Sequence, residues 1–208
     1  MNLSGIYFIT DRTYCSLPVY DMVSAVLDAG IRIIQYRDKD RTRRELYEEA
    51  ARLRELTRSF NAVLIINDHG DIAAAVDADG LHLGQDDLPL KEARKIVGNM
   101  LIGISTHSLA QAREADAAGA DYIGFGPIFH TTTKDAGSPQ GLDNLRLIKQ
   151  NVSIPVVAIG GISLETAQSV FNAGADAIAV ATGICRGRIK ENAGKFAQIA
   201  GEVLKSPS

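Results

Sequence analysis

The sequence predicts an α/β protein, a single (β/α)8 TIM barrel that takes up residues 1–208 as one domain. Three observations predict this fold: eight short apolar runs, a helical pattern between each run and the next, and no Ser- or Pro-rich linker along the chain. An open, doubly wound sheet is the alternative. A GxGxxG turn after an early strand would favour that sheet, but the first predicted strand ends in ITDR.

Four related segments show how one unit leads into the next. They are LDAGIRIIQYR from Leu27, VDADGLHLGQ from Val76, AAGADYIGFG from Ala117 and NAGADAIAVA from Asn172. In each segment, a Gly just past a helix can take the left-handed conformation that satisfies the last carbonyl groups of the helix. The apolar run that follows suits a strand covered on both faces. Each segment therefore predicts a helix, a glycine cap and a buried strand.

The predicted elements alternate along the whole chain. Strands are expected at residues 6–10, 31–37, 63–67, 80–83, 101–105, 122–125, 156–159 and 177–180. Thr42 and Glu45 predict a capping box at the start of one helix, and Ser108 with Gln111 predicts the cap of the fifth helix. In a barrel of this kind functional residues lie at the C-terminal ends of the strands, so those positions are the candidates for a site.

Composition and charge exclude several classes of protein. The 208 residues are 46% hydrophobic and 23% charged, with a formal net charge of −3, which is typical of a globular domain and argues against a nucleic-acid partner. No apolar run approaches the roughly 18 residues of a membrane helix, and MNLSGIYFITDR lacks the features of a signal peptide. Two cysteines are too few for a disulfide framework. We therefore expect a cytoplasmic protein without a membrane partner, and leave open a homo-oligomer.

The second predicted strand becomes polar toward its end. In IRIIQYRDK, the period of two places Gln35, Arg37 and Lys39 on one face and Ile34 and Tyr36 on the other. The alternative is that Arg37 and Lys39 are simply solvated loop charges. An amide and two cations in register, at the end where barrels keep their sites, instead favour an anionic ligand.

Carboxylates follow the third and fourth predicted strands. Asn67 and Asp68 stand at the end of IIND, and Asp86 and Asp87 stand in GQDDL. Two carboxylates at this rim fit Mg²⁺, because substrate phosphates and water usually fill its remaining positions. The alternative is that Asp68, and either Asp86 or Asp87, cap the helices that follow them.

The loops after the later strands offer groups that suit phosphate. The candidates are Ser105 after strand five, Thr131, Thr132, Thr133 and Lys134 in the long loop after strand six, and Gly160, Gly161 and Thr182 after strands seven and eight. Hydroxyl groups, backbone amides near glycine and a lysine all bind phosphate oxygens. Two anion sites in one mouth predict two phosphorylated substrates. The four histidines form no ligand set, and only His130, in the long loop, is open to another role.

The motifs ITDR, QYRDK, IND, HLGQDD, GISTH, DYIGFGPIFHTTTK and AIGGI occur in this order along nearly the whole chain. As a set they resemble the thiamine-phosphate synthase family. The resemblance implies a TIM-barrel transferase that joins 4-amino-2-methyl-5-(diphosphooxymethyl)pyrimidine to 4-methyl-5-(2-phosphoethyl)thiazole, or to its 2-carboxylate. The products would be thiamine phosphate and pyrophosphate, by a dissociative mechanism assisted by Mg²⁺.

The resemblance also implies roles for individual residues. It assigns Gln35, Tyr36, Arg37, Asp38, Lys39, Asn67, Ser105 and Lys134 to the pyrimidine diphosphate. It assigns Thr131, Thr132, Thr133, Gly161, Ala181 and Thr182 to the thiazole phosphate. Asp68 and Asp87 would hold Mg²⁺, and the catalytic residues would be Lys134, Arg37, Lys39 and Ser105.

Two positions depart from the family pattern. His130 stands where the family usually has proline, and Thr182 stands where serine is common. The histidine raises an alternative, because a branch of the same fold acts as a thiazole tautomerase, uses a histidine in this region and tends to lose the diphosphate and magnesium groups. Those groups are present here, which favours the synthase. A non-catalytic barrel that binds phosphorylated ligands is the other alternative.

Overall fold

Eight parallel strands close into a barrel in chain order in the computed structural model, which describes residues 3–131 and 137–205. The strands are β1 (Gly5–Ile9), β2 (Ile33–Tyr36), β3 (Val63–Asn67), β4 (Gly80–Leu83), β5 (Leu101–Thr106), β6 (Tyr122–Phe125), β7 (Val156–Ile159) and β8 (Ala177–Val180). β1 pairs with β8 and closes the ring. The predicted TIM barrel is confirmed, and strands β3, β4, β6, β7 and β8 have the predicted bounds.

Helices follow the strands and cover the outside of the barrel. They are α1 (Val19–Asp28), α2 (Arg43–Ser59), α3 (Gly70–Ala75), α4 (Leu90–Val97), α5 (Leu109–Ala117), α6 (Gly141–Lys149), α7 (Leu164–Asn172), α8 (Thr182–Cys185) and α9 (Ile189–Lys205). The capping box of Thr42 and Glu45 begins α2, and the Ser108 hydroxyl caps α5 by accepting from the Gln111 amide. Within the described residues, no helix combines the length and hydropathy needed to cross a membrane.

The alternation of side chains along each strand divides the apolar residues into two cores. A large core lies between the strands and the helices and includes Phe8, Ile34 and Leu64. A smaller core fills the barrel itself and is made of Leu3, Tyr7, Ile33, Ile65, Tyr122, Val157, Ala177 and Ala179. Successive residues of a strand point to opposite faces, which explains why neighbours such as Ile33 and Ile34 belong to different cores.

The predicted glycine caps are confirmed in three of the four related segments. Gly30, Gly119 and Gly174 have φ values of +98°, +85° and +102°. In VDADG the prediction is wrong, because Asp77 takes the left-handed conformation with φ of +53° and Gly80 is the first residue of β4. Aspartate is one of the few residues with a side chain that tolerates this region.

A repeated ion pair fastens the N-terminal end of the barrel. An aspartate just before each of β4, β6 and β8 accepts a hydrogen bond from a main-chain N–H of the preceding strand and also pairs with a cation of a helix. The sets are Asp79 with Leu64 N at 2.7 Å and Arg54 at 2.6 Å, Asp121 with Ile102 N at 2.7 Å and Arg94 at 2.6 Å, and Asp176 with Val156 N at 2.8 Å and Lys149 at 2.5 Å. Each carboxylate thus links two strands and a helix.

Candidate active site

Asp68 and Asp87 come together at the C-terminal end of the barrel. The main-chain N–H of Asp68 donates to the His82 carbonyl at 2.9 Å, and Asp68 has φ of +62°, so the chain turns sharply after β3. In the loop after β4, Asp87 Oδ2 accepts from Gly84 N at 2.7 Å. Burial and a hydrogen bond with the neighbouring Asp87 carboxylate raise the pKa of Asp68, and the nearby charge of Lys39 only partly offsets this.

The capping alternative for these aspartates is wrong. Helix α3 begins after His69 and helix α4 begins after Pro89, and neither of these N-cap residues provides a side-chain hydrogen bond to its helix. Asp87 instead closes the turn after β4 through Gly84, and Asp68 contacts Asp87. Neither carboxylate is needed to start a helix.

Two carboxylates in contact suit a hard cation. Each ionised carboxylate repels the other, and a divalent ion between them removes that repulsion. Within residues 3–131 and 137–205, no group of three or more His, Cys, Asp or Glu side chains could hold a metal ion. A pair of carboxylates is a donor set of the kind that Mg²⁺ usually takes, since Mg²⁺ binds one or two carboxylates and completes its shell with water and substrate phosphates.

Arg37 and Lys39 lie at the same rim, on the loop after β2. The Thr10 hydroxyl fixes this loop by accepting from Arg37 N at 2.9 Å and donating to Arg37 O at 3.0 Å. Among the residues that the structure describes, neither Arg37 nor Lys39 forms an ion pair with a carboxylate. Arg12 and Arg41, by contrast, are paired with carboxylates. Arg37 and Lys39 are therefore candidates of this rim for an anionic ligand.

The side chains of Tyr36 and Asp38 do not join this group. The Tyr36 hydroxyl lies outside the barrel and donates to Glu49 of α2 at 2.6 Å. The Asp38 carboxylate pairs with Arg12 at 3.2 Å and lies 3.9 Å from Arg41. A contact of Tyr36 with a ligand in the mouth is therefore restricted to its main chain.

Gln35 and Ser105 belong to a chain of polar side chains inside the barrel. Gln35 Nε2 donates to the Tyr7 hydroxyl at 2.8 Å, and the Tyr7 and Tyr122 hydroxyls are 2.9 Å apart. His82 then links Tyr122 to Ser105, with Nδ1 3.0 Å from the Tyr122 hydroxyl and Nε2 2.9 Å from Ser105 Oγ. Gln35 is only 2% exposed, whereas Ser105 is half-buried. Ser105 is therefore the more accessible end of the chain.

The loops after β6 and β7 run side by side at the same C-terminal rim, across the mouth from the loops after β2 and β3. Main-chain N–H groups of Ile128 and Phe129 donate to the carbonyls of Ile159 and Gly160 at 2.8 and 3.0 Å. Gly161 has φ of +65°, and a side chain there would collide with the His130 carbonyl. Gly161 is thus held against the segment that leads to Thr131, the last residue of this loop that the structure describes before position 137. Thr132, Thr133 and Lys134 lie outside the described residues.

Thr182 lies where β8 passes into a short helix. Ala181 precedes α8, and its carbonyl accepts hydrogen bonds from the amides of Ile184 and Cys185 at 3.1 and 3.0 Å. The first amides of a helix have no acceptor within the helix, so an anion can bind them. Thr182 and Gly161 follow neighbouring strands, so both contribute to one half of the mouth.

Comparison with known proteins identifies the family. The family model of thiamine monophosphate synthase matches residues 6–184. The chain belongs to this family. A thiamine-phosphate synthase of Chloroflexus aurantiacus is 52% identical over 164 residues, which are 78% of this chain and 76% of that protein. The solved structure of a thiamine phosphate pyrophosphorylase from Pyrococcus furiosus has a TM-score of 0.92 and 41% identity, with 98% of each chain covered.

The thiamine monophosphate synthase family is the one that the sequence motifs resemble, so that prediction is confirmed. The structure brings Arg37, Lys39, Asn67, Asp68 and Asp87 to adjoining strand ends of one rim. The roles of individual residues in binding stay predictions.

Sequence analysis did not connect His82, Tyr7 and Tyr122 with the candidate residues Gln35 and Ser105. His82 was grouped with histidines of structural role, and the two tyrosines were treated as strand residues. A usable signal was present, because His82 alternates with Leu81 and Leu83 and so had to face the barrel interior. Its partners could not be deduced, since Ser105 and Tyr122 lie 23 and 40 positions further along the chain.

Proposed function

We propose that this member of the thiamine monophosphate synthase family is a transferase of thiamine biosynthesis. It joins the aminopyrimidine methyl diphosphate to the thiazole phosphate and releases pyrophosphate and thiamine phosphate. One observation at the site carries the proposal. Two cations without carboxylate partners among the described residues, Arg37 and Lys39, lie at the same rim as the touching carboxylates Asp68 and Asp87. A diphosphate with its divalent cation complements both groups.

The reaction begins with departure of the diphosphate. The bond between the methylene carbon and the diphosphate oxygen breaks, and its electron pair stays with the oxygen. Arg37 and Lys39 stabilise the negative charge that develops there, with Lys134 expected to contribute from the loop after β6. When held by Asp68 and Asp87, Mg²⁺ supplies further positive charge to the diphosphate.

The second half of the reaction depends on alignment. The electron-rich aminopyrimidine carries the positive charge left on the methylene carbon, and the thiazole nitrogen donates its lone pair to form the new C–N bond. Holding the two reactants at one distance and angle replaces an encounter in solution. The thiazole phosphate would be held by Thr131, Thr132, Thr133, Gly161, Ala181 and Thr182.

Free thiols support a cytoplasmic location for this reaction. Both Cys15 and Cys185 are unpaired, and proteins in reducing compartments rarely carry disulfides. We assign the activity to one catalytic domain over residues 1–208. Homo-oligomerisation stays open.

Incubation of the purified protein with both substrates and Mg²⁺ tests the proposal. Mass spectrometry should detect thiamine phosphate, and a coupled assay should detect an equal amount of pyrophosphate. Isomerisation of the thiazole carboxylate without pyrophosphate release would replace the transferase by a tautomerase. Binding of the substrates without any product would favour a non-catalytic barrel.

A pair of arginine variants tests the site separately from the function. Arg37→Met should lower turnover by about 100- to 1,000-fold, the usual cost of losing one preorganised charge at a developing anion. Arg41→Met is the matched control, because Arg41 lies in the same loop but is paired with Glu45 at 2.8 Å and Glu49 at 3.3 Å. Turnover in Arg41→Met should stay within about threefold. Equal losses in both variants would contradict the assignment of Arg37.

A further inference from the structure

Five polar side chains from five strands form one hydrogen-bonded chain across the barrel interior. In order they are Gln35 of β2, Tyr7 of β1, Tyr122 of β6, His82 of β4 and Ser105 of β5, joined by contacts of 2.8, 2.9, 3.0 and 2.9 Å. We call these residues the interior relay. Only Ser105 and Gln35 were expected to take part in binding, so the three residues between them need another explanation.

The neighbouring strands make room for the relay. A side chain at Gly103 of β5 would collide with the Tyr122 ring, and a Cβ at Gly124 of β6 would lie 3.2 Å from His82 Cε1. Both glycines lie in register with relay residues, because Gly103 pairs with Tyr122 and Ser105 pairs with Gly124. Glycine at these two inward-facing positions therefore leaves space for the polar side chains of the relay, in a region where an apolar core would pack well.

The hydrogen bonds of the relay run in one direction. Burial raises the pKa of both tyrosines above its usual value, and the buried His82 ring has hydroxyl groups, of Tyr122 and Ser105, as its hydrogen-bond partners. Each phenol therefore has one proton, and the neutral imidazole has one N–H. The Tyr7 oxygen accepts from Gln35, and among the described residues the Tyr122 oxygen is the only acceptor within reach of the buried Tyr7 proton, so Tyr7 donates to Tyr122. Tyr122 then has Nδ1 of His82 as the acceptor of its own proton. The only ring proton of His82 is then on Nε2, which donates to Ser105 Oγ.

The direction of these hydrogen bonds determines whether the Ser105 hydroxyl is free to donate to a ligand. Its oxygen accepts from His82, so its own proton does not point back along the relay. Ser105 is half-buried at the end of β5, next to the carboxyl ends of β4 and β6. Its hydroxyl thus presents a donor to the mouth.

We propose that His82, held as the Nε2–H tautomer by Tyr122, is a positioning residue that makes Ser105 a hydrogen-bond donor to the pyrimidine substrate. The proposal rests on the proposed function for the identity of that substrate, whose ring nitrogens and diphosphate oxygens are acceptors. His82 acts through Ser105 and contacts no reacting atom. The relay thereby selects a ligand that has an acceptor at this position.

The tautomer is measured without any substrate. A long-range ¹H–¹⁵N spectrum of histidine-labelled protein at neutral pH distinguishes the two ring nitrogens, and His82→Gln identifies the signal among the four histidines. We expect a proton on Nε2 only. Tyr122→Phe removes the donor to Nδ1 and should populate the Nδ1–H form, whereas Tyr7→Phe leaves that donor in place and should keep Nε2–H. A proton on Nδ1 in the wild-type protein would overturn the proposal whatever the enzyme does.

Kinetics then test the consequence for binding. Tyr122→Phe should raise KM for the pyrimidine diphosphate by about 2- to 10-fold, the usual range for one net hydrogen bond, and leave KM for the thiazole phosphate unchanged. Tyr20→Phe is the control, because Tyr20 is a half-buried tyrosine of α1 that lies against Arg52 outside the barrel. Its two KM values should not change.

Two further outcomes are decisive. Equal rises in both KM values for Tyr122→Phe would indicate a general packing defect and would overturn the proposal. Affinity measurements with pyrophosphate and with the aminopyrimidine alcohol, each alone, show which part of the substrate Ser105 meets, since only that fragment should bind more weakly to Tyr122→Phe. If both fragments bind Tyr122→Phe as tightly as they bind the wild-type protein, the proposal is also overturned. If Tyr122→Phe does not fold, His82→Phe serves in the same measurements.

Discussion

The two ends of the barrel use aspartate in opposite ways. At the N-terminal end, Asp79, Asp121 and Asp176 each have a cation and a main-chain N–H as partners. At the C-terminal end, Asp68 has another carboxylate, Asp87, as its neighbour, and the pKa of Asp68 is raised. A satisfied carboxylate holds elements together, whereas two carboxylates in contact store repulsion that a bound cation relieves. The same residue type thus stabilises the fold at one end and, under the proposed function, would hold a metal ion at the other.

Neutralising the carboxylates of the mouth should have the largest effect on activity. Asp68→Asn and Asp87→Asn should each raise the half-saturating Mg²⁺ concentration by at least about 10- to 100-fold, which is what losing even an indirect support of a metal costs. Melting without metal should be unchanged or higher, because each variant removes a repulsion and Asn tolerates the positive φ of Asp68. Titrating turnover with Mg²⁺, beside melts in EDTA, checks both expectations. Wild-type Mg²⁺ dependence in both variants would show that neither Asp68 nor Asp87 serves the metal. The aspartates at the two ends of the barrel would then not differ in this way.

Removing a carboxylate from the base should give the reverse pattern. Asp79→Ala leaves Leu64 N–H without its acceptor and Arg54 without its ion pair, so we expect a loss of about 1–3 kcal/mol in the free energy of unfolding. Turnover and Mg²⁺ dependence should not change in the folded fraction. Chemical denaturation measures the loss, and Asp143→Ala is the control. Asp143 pairs with Arg146 but is 99% exposed, so its removal should cost about 1 kcal/mol or less.

The comparison of the two ends also shows what the sequence could predict. The strands were predictable because each is a short apolar run buried on both faces, and β3 through β8 differ from the predicted bounds by at most one residue. The two faces of β2 were predictable from its period of two, which separated Gln35 from Tyr36, and the structure places Gln35 inside the barrel and Tyr36 outside. These features depend on local sequence alone.

Features that depend on contacts between distant strands were missed or wrong. The sequence leaves capping open for Asp68 because Asp68 precedes a helix, but in the structure Asp68 has a positive φ and lies beside Asp87. The pairing of Asp79 with Leu64 joins positions 15 apart, and His82 meets Ser105 over 23 positions. No periodicity within one element encodes such partners. The residue types at a strand end were therefore predictable, whereas their hydrogen-bond partners were not.

The raised pKa of Asp68 predicts how stability without metal depends on pH. The folded protein retains a proton that the unfolded chain loses near pH 4, so folding stability is fully present below that pH and is lost as the pH rises through the raised value. Asp68→Asn should remove this loss and flatten the profile. Unfolding free energies in EDTA, from pH 4 to pH 7, measure the difference between variant and wild type. A parallel pair of profiles would mean that Asp68 and Asp87 do not interact.

The smallest effect is expected at His130, where the chain departs from the family pattern. His130 is exposed, its φ is not positive, and among the described residues its amide donates no hydrogen bond, so proline removes no contact there. The carbonyl that lies against Gly161 is retained. If His130 only spaces the loop, His130→Pro should keep thiamine phosphate formation within about tenfold of wild type. A general base would behave differently, because its loss typically costs about 100- to 10,000-fold. Turnover of His130→Pro, with melting as the check on folding, separates the two roles, and a collapse of activity in a folded variant would make His130 part of the catalytic machinery.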